Sequence, residues 1–154
     1  MTREEYITVT GFFFDRLMKA VKDMPGDRFL VPFQNETATP QELFTDLSAR
    51  AERMVRALEL LYQGEDLEDK YNSPHKSTVD IKRALSHFRV AHSTVIAALE
   101  RIPPSRFGET GELPTWMLDN YFSPLEQAAT KIEEWTKDLR SRGQAGPTGL
   151  PVIQ

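Results

Sequence analysis

The chain has 154 residues, 40% hydrophobic and 27% charged, with a net charge of −4 and no cysteine. These totals suit one soluble domain with one core. They exclude a disulfide frame, a thiolate nucleophile and a cysteine-based zinc site, and the interspersed charges leave no nucleic-acid footprint. No window approaches the ~20 apolar residues of a membrane span, and Met1-Thr2-Arg3-Glu4-Glu5 is not a basic leader before an apolar run. The expectation is a cytoplasmic protein with neither nucleic acid nor membrane as a partner.

The first helix is predicted from Arg3 to Lys22. Thr2 and Glu5 form a capping box, and Tyr6, Thr10, Phe13, Leu17, Ala20 and Met24 share one face. Gly11 lies inside it at a cost of about 1 kcal/mol relative to alanine, either to permit close packing or merely tolerated. Pro25-Gly26-Asp27 ends the helix. Residues 28 to 38 read as an irregular connection. Phe29, Leu30, Val31 and Phe33 are apolar enough to fold back on the helices, and Pro32 argues against a regular strand.

The second helix has the clearest start. Thr39 is the N-cap, Pro40 takes the first helical position and Glu42 completes the box. Leu43, Leu47, Met54, Leu58 and Leu61 mark its buried face, and Gly64 ends it. Residues 63 to 77 form an acidic, turn-rich loop that is long enough for a crossover, so the topology need not be simple up-down.

The third helix, about Thr78 to Ile102, organises the rest. Ile81, Leu85, Phe88, His92, Val95, Leu99 and Ile102 step by alternating fours and threes, which keeps one stripe on a partner. Ala84, Ala91 and Ala98 lie beside the stripe, Ser77 and Asp80 make a weak capping box, and Pro103-Pro104 stop the helix. The fourth helix, about Thr115 to Arg140, carries Ala128, Ile132, Trp135 and Leu139 on its stripe. Pro124 sits inside it, and Ser123, Pro124 and Glu126 repeat the N-cap signature, so a kink or break is expected near 123. The fold class is therefore all-α, a four-helix bundle over residues 1–140, with an irregular tail at 141–154.

His92 is the anomaly of the apolar stripe. It is either a core residue with a satisfied nitrogen, or a general base or metal ligand inside the bundle. His87 cannot chelate with it, because five residues turn the two rings apart. His75 falls in a loop. Asp46 and Arg50, one turn apart, are either a surface pair or the charged lining of a pocket. Glu126 is explained by capping or by orienting a substrate, and Glu133 and Glu134 by a solvated face. The aromatics Phe12, Phe13, Phe14, Phe88, Phe122 and Trp135 are read as core. Trp116 and Tyr121 border the loop and the Pro124 break, where they would line a binding site. No Gly-rich phosphate loop, HExxH helix, nucleophile elbow or di-iron Glu-x-x-His ligand set is present, so no cofactor is called.

Four segments carry a resemblance to the DinB/YfiT-like superfamily of bacterial four-helix bundles: KAVKDMPGDRF after the first helix, TATPQELFTDLSARAERMV opening the second, ALERIPPSRF closing the third and TWMLDNYFSPLEQAATKIEEW in the fourth. The resemblance covers most of residues 5 to 140. It implies a divalent metal held by three histidines, one on the second helix and two a turn apart on the fourth. Asp46 stands near the first position and Pro124 and Ala128 near the others, so the site is expected to be dismantled and no metal is called. The resemblance also implies a homodimer and thiol-transferase or hydrolase chemistry. Two functions follow as expectations. One is a bundle that binds a small molecule or a protein partner between the second, third and fourth helices. The other is an enzyme with His92 as acid/base and Asp46, Arg50 or Glu126 orienting the substrate. A docking role for the tail, through Leu150 to Ile153, is a third.

Overall fold

The computed structural model describes residues 1–22, 24, 26–64 and 81–141. The acidic loop, with His75 and the Ser77–Asp80 box, lies outside the described residues, as does the tail beyond Ser141 and the docking motif in it. Four long helices carry the fold: α1 (Arg3–Lys22), α2 (Pro40–Tyr62), α3 (Ile81–Arg101) and α4 (Ser123–Ser141). No strand occurs among the described residues. A lone antiparallel bridge between Thr2 and Glu112 ties the start of α1 to the loop before α4.

Local chemistry sets the boundaries. Thr39 is extended at φ −106°, ψ 159°, and its Oγ1 accepts from the Glu42 N–H at 3.2 Å, as an N-cap should. Gly64 follows the last turn of α2 at φ +87°, a conformation that costs glycine little and other residues much. At the start of α1, the Glu5 N–H bonds the Thr2 hydroxyl at 3.3 Å.

The helix directions follow from pairs of contacts. Tyr6 and Phe13 meet Phe122, and the Thr136 hydroxyl reaches the Ala20 carbonyl, so α1 and α4 run parallel. Phe44 meets Phe88 and the Tyr62 ring lies under Arg101, so α2 and α3 also run parallel. Phe14 packs on Phe88 while Arg3 bonds the Ile102 carbonyl, which makes α1 and α3 antiparallel. The closest pairings are α2 with α3 and α1 with α4. The arrangement is up-down-down-up. The end of α2 and the start of α3 consequently lie at opposite ends of the bundle, as a crossover after α2 demands.

The core is continuous through all four helices. On α3, Phe88, His92, Val95 and Leu99 are buried together with Ala84, Ala91 and Ala98, as is Ile102 directly after it, so the stripe faces inward as its spacing predicts. Burying each large side chain contributes roughly 1.5–3 kcal/mol. The connection after α1 contains a 3₁₀ turn, Gly26–Leu30. Its Phe29 packs on Phe44 and Trp135, and Phe33 also meets Trp135, whereas Leu30 and Val31 stay exposed. Phe12, read as core, is 58% exposed and lies under the Arg16 guanidinium. Glu133, read as solvated, pairs with Arg16 across the α1–α4 contact, and that pairing raises the Arg16 pKa.

The kink or break expected near 123 takes the form of a π turn. One α turn, Thr115–Met117, leads into a π-helical stretch, Leu118–Phe122, which passes directly into α4. The Ser123 N–H bonds the Leu118 carbonyl five residues back. The wider turn keeps the chain helical through Pro124.

Candidate functional site

Five of the six residues singled out from the sequence gather round this π turn. Tyr121 projects from it into the core, fully buried, and its hydroxyl lies 2.6 Å from His92 Nδ1. His92 comes from the middle of α3 and is 5% exposed. Its ring stacks on Phe14 of α1 with centroids 4.1 Å apart and planes 4° apart, and Phe88 flanks it. Arg50, from α2, reaches the backbone of the same turn: its Nη1 donates to the Asn120 carbonyl at 3.2 Å and its Nε to Asp46 at 2.7 Å. Asn120 in turn donates from Nδ2 to the Trp116 carbonyl at 2.7 Å. Glu126 is exposed and stands apart from this group; its charge acts on Arg16 of α1.

The reason for the Arg50 contact lies in the sequence. In an α-helix residue 124 would donate its N–H to the carbonyl of residue 120. Pro124 has none. Arg50 supplies a donor to that carbonyl from the neighbouring helix. The π turn is therefore held from two sides, by Arg50 of α2 on Asn120 and by His92 of α3 on Tyr121.

The electrostatics favour an uncharged centre. Burial in the apolar core pushes the His92 imidazole from its ordinary 6.5 down to about 4, so the ring is neutral at pH 7. A neutral imidazole can exchange one hydrogen bond with the tyrosine hydroxyl in either tautomer. Phe14, Phe88 and Tyr121 pack around the ring. The clefts beside Trp135, at residues 35–38 and beside His87 include none of His92, Tyr121, Arg50, Asp46, Trp116 and Glu126.

A metal of the kind the resemblance implies does not fit the residues at hand. Asp46 is engaged by Arg50, and Pro124 and Ala128 have no ligating side-chain atom, Ala128 being buried in the core as well. No group of three histidine, cysteine, aspartate or glutamate side chains able to hold a metal occurs among the described residues. His87 is exposed on the outer side of α3 beside Glu52 and Val90.

Sequence reasoning missed two partners. Asn120 was findable, since Pro124 marks the carbonyl four residues earlier as needing a donor. Phe14, read as core, carried no signal that it would cover His92. Also missed was a cleft of about 460 Å³ between the connection after α1 and the outer half of α4, walled by Phe33, Trp135 and Leu139. No family model, curated protein or solved structure matches the chain.

Proposed function

We propose that the chain is a DinB-like bundle without the three-histidine metal site, and that it works by binding a small molecule or a protein partner, not by catalysis. The observation that carries this reading is the state of His92. It is buried, stacked on Phe14 and bonded through Nδ1 to Tyr121, and burial keeps it neutral, so it serves packing in the core. The four motif segments support the family assignment. The Asp46, Pro124 and Ala128 positions support the loss of the metal.

Two measurements test the reading. Metal analysis of protein purified without an affinity tag should find no tightly bound nickel or zinc, and one equivalent overturns it. The His92→Gln protein should lose stability, with any ligand affinity unchanged. A variant that keeps full stability but loses a measurable turnover would reinstate His92 as acid/base.

That competing reading, a thiol-dependent transferase or hydrolase, draws on one observation. The π turn is a form of helix found often at functional sites, and here it carries the tyrosine that contacts His92. Screening thiol cofactors against the parent and His92→Gln proteins separates the two readings.

A further inference from the structure

One face of the outer half of α4 looks into a cleft instead of the core. Lys131, Glu134, Trp135, Asp138 and Leu139 are spaced to share that face, and all five line the cleft of about 460 Å³. The opposite wall is the connection after α1, through Arg28, Val31, Pro32 and Phe33. The cleft is thus a groove along α4 between Lys131 and Leu139, about 12 Å at the helical rise per residue. It stops two residues short of Ser141, the last residue of α4.

The floor of the groove is apolar. Trp135 is half-buried and stands edge-on to Phe33, with centroids 6.1 Å apart. Val31, 43% exposed, and the exposed Pro32 form the lip. Lys131, at the end away from Ser141, is committed: it pairs with Glu36 and sits 4.5 Å over the Phe33 ring. An open groove beside a tryptophan suits an extended, proline-containing segment, which is ordered at small entropic cost.

A segment of that kind follows α4 in the sequence. Residues 142–154 lie outside the described residues. They read as eight small or polar residues, RGQAGPTG, and then the apolar stretch Leu150-Pro151-Val152-Ile153. Four extended residues span about 13 Å, the length of the groove. A glycine-rich linker of eight residues reaches roughly 16 Å, enough to double back from Ser141 to the groove.

We infer that residues 150–153 dock in this groove of their own chain, antiparallel to α4, with their apolar side chains against Trp135, Val31 and Pro32. The segment carries no charge, so the ions on the rim keep their water and their partners. Reach selects it over a foreign peptide, because a tether this short holds it at roughly millimolar effective concentration. The inference is independent of the non-catalytic reading above.

The test uses the full chain carrying Leu150→Asp and Ile153→Asp, which frees the groove, and a fluorescent peptide of residues 147–154 read by anisotropy. The peptide should bind this variant at one site per chain. It should bind the parent at least ten-fold more weakly, because the parent's own segment competes. Adding Val31→Asp to the variant should weaken the peptide ten-fold or more. Val31 is exposed, so circular dichroism and melting unchanged by that addition establish the fold. Equal binding to the parent and the variant overturns docking within the chain, and binding to neither overturns the site. Indifference to Val31→Asp places the peptide elsewhere and overturns it as well. If the parent's resistance to the peptide fades on dilution while light scattering shows a dimer dissociating, the segment sits on a second copy and the assignment fails. His92-dependent turnover would defeat the non-catalytic reading and leave each of these outcomes as it stands.

Discussion

Arg50 and Asn120 are 70 residues apart in the chain, and the guanidinium of one donates to the backbone carbonyl of the other. The contact joins α2 to the π turn, at the carbonyl that Pro124 cannot serve. It explains how a proline is carried inside a helical run at little cost. It also assigns Arg50 a role beyond its pair with Asp46, which with its half-exposed carboxylate is worth only ~0.3–0.5 kcal/mol.

A double-mutant cycle checks this division of labour. Arg50→Ala alone should destabilise by about 1–2 kcal/mol, since a charged donor is lost from a partly buried carbonyl. In a Pro124→Ala background the restored N–H can serve the Asn120 carbonyl, so the same change should cost about 1 kcal/mol less. Urea denaturation of the four proteins gives the coupling. A coupling of zero would show that Arg50 and Pro124 act independently.

Much of this bundle was legible before any coordinates. Thr39-Pro40 and Glu42 fixed the start of α2 because capping is a local transaction among neighbouring residues. The inward stripe of α3 was legible because only one face of a helix can seal against its partners. What failed was long-range. Phe12, Phe13 and Phe14 are consecutive, so 100° steps spread them over most of the helix circumference, and the sequence alone does not say which of them meets solvent. Tyr121 was placed at a rim because it precedes Pro124; the π turn rotates it into the core. Arg28 belongs to a connection with no period to read, and its cleft exists only because Phe29 and Phe33 anchor that connection on Trp135.

The burial of His92 makes stability depend on pH. Its folded pKa is about 4 and its unfolded value 6.5. Between these the unfolded chain binds the proton and the folded chain does not, so stability rises with pH across that window. The contribution is complete above the unfolded value and is lost as pH falls through the folded one. A shift of this size corresponds to about 3 kcal/mol. Denaturant titrations from pH 4 to 7.5, taken as the difference between the parent and His92→Gln, isolate the histidine from carboxylates common to both. A difference that does not vary with pH would show that the ring is hydrated.

Tyr121→Phe separates the hydrogen bond from the packing. The ring volume is kept, and Nδ1 of a buried imidazole loses its partner. The variant should lose about 1–3 kcal/mol, with the secondary structure seen by circular dichroism unchanged. A loss below 0.5 kcal/mol (the lower edge of a net hydrogen bond) would mean that water replaces the hydroxyl and that the site is open.

Two glycines should respond to the same added methyl with opposite signs. At Gly11, inside α1, a Cβ would meet nothing within 4 Å, so the glycine is tolerated and serves no close approach. Gly11→Ala should therefore stabilise by about 0.5–1 kcal/mol, through helix propensity and a less free unfolded chain. At Gly64 the backbone has φ +87°, and a Cβ would come within 3.3 Å of Arg106 Nη1. Gly64→Ala should cost about 1 kcal/mol, since an L-residue is strained there even after the arginine yields. Urea midpoints of the two variants decide both signs. The expected homodimer adds a diagnostic at Gly11. If Gly11→Ala destabilises instead, and light scattering shows a dimer dissociating with it, then a second copy covers that face of α1.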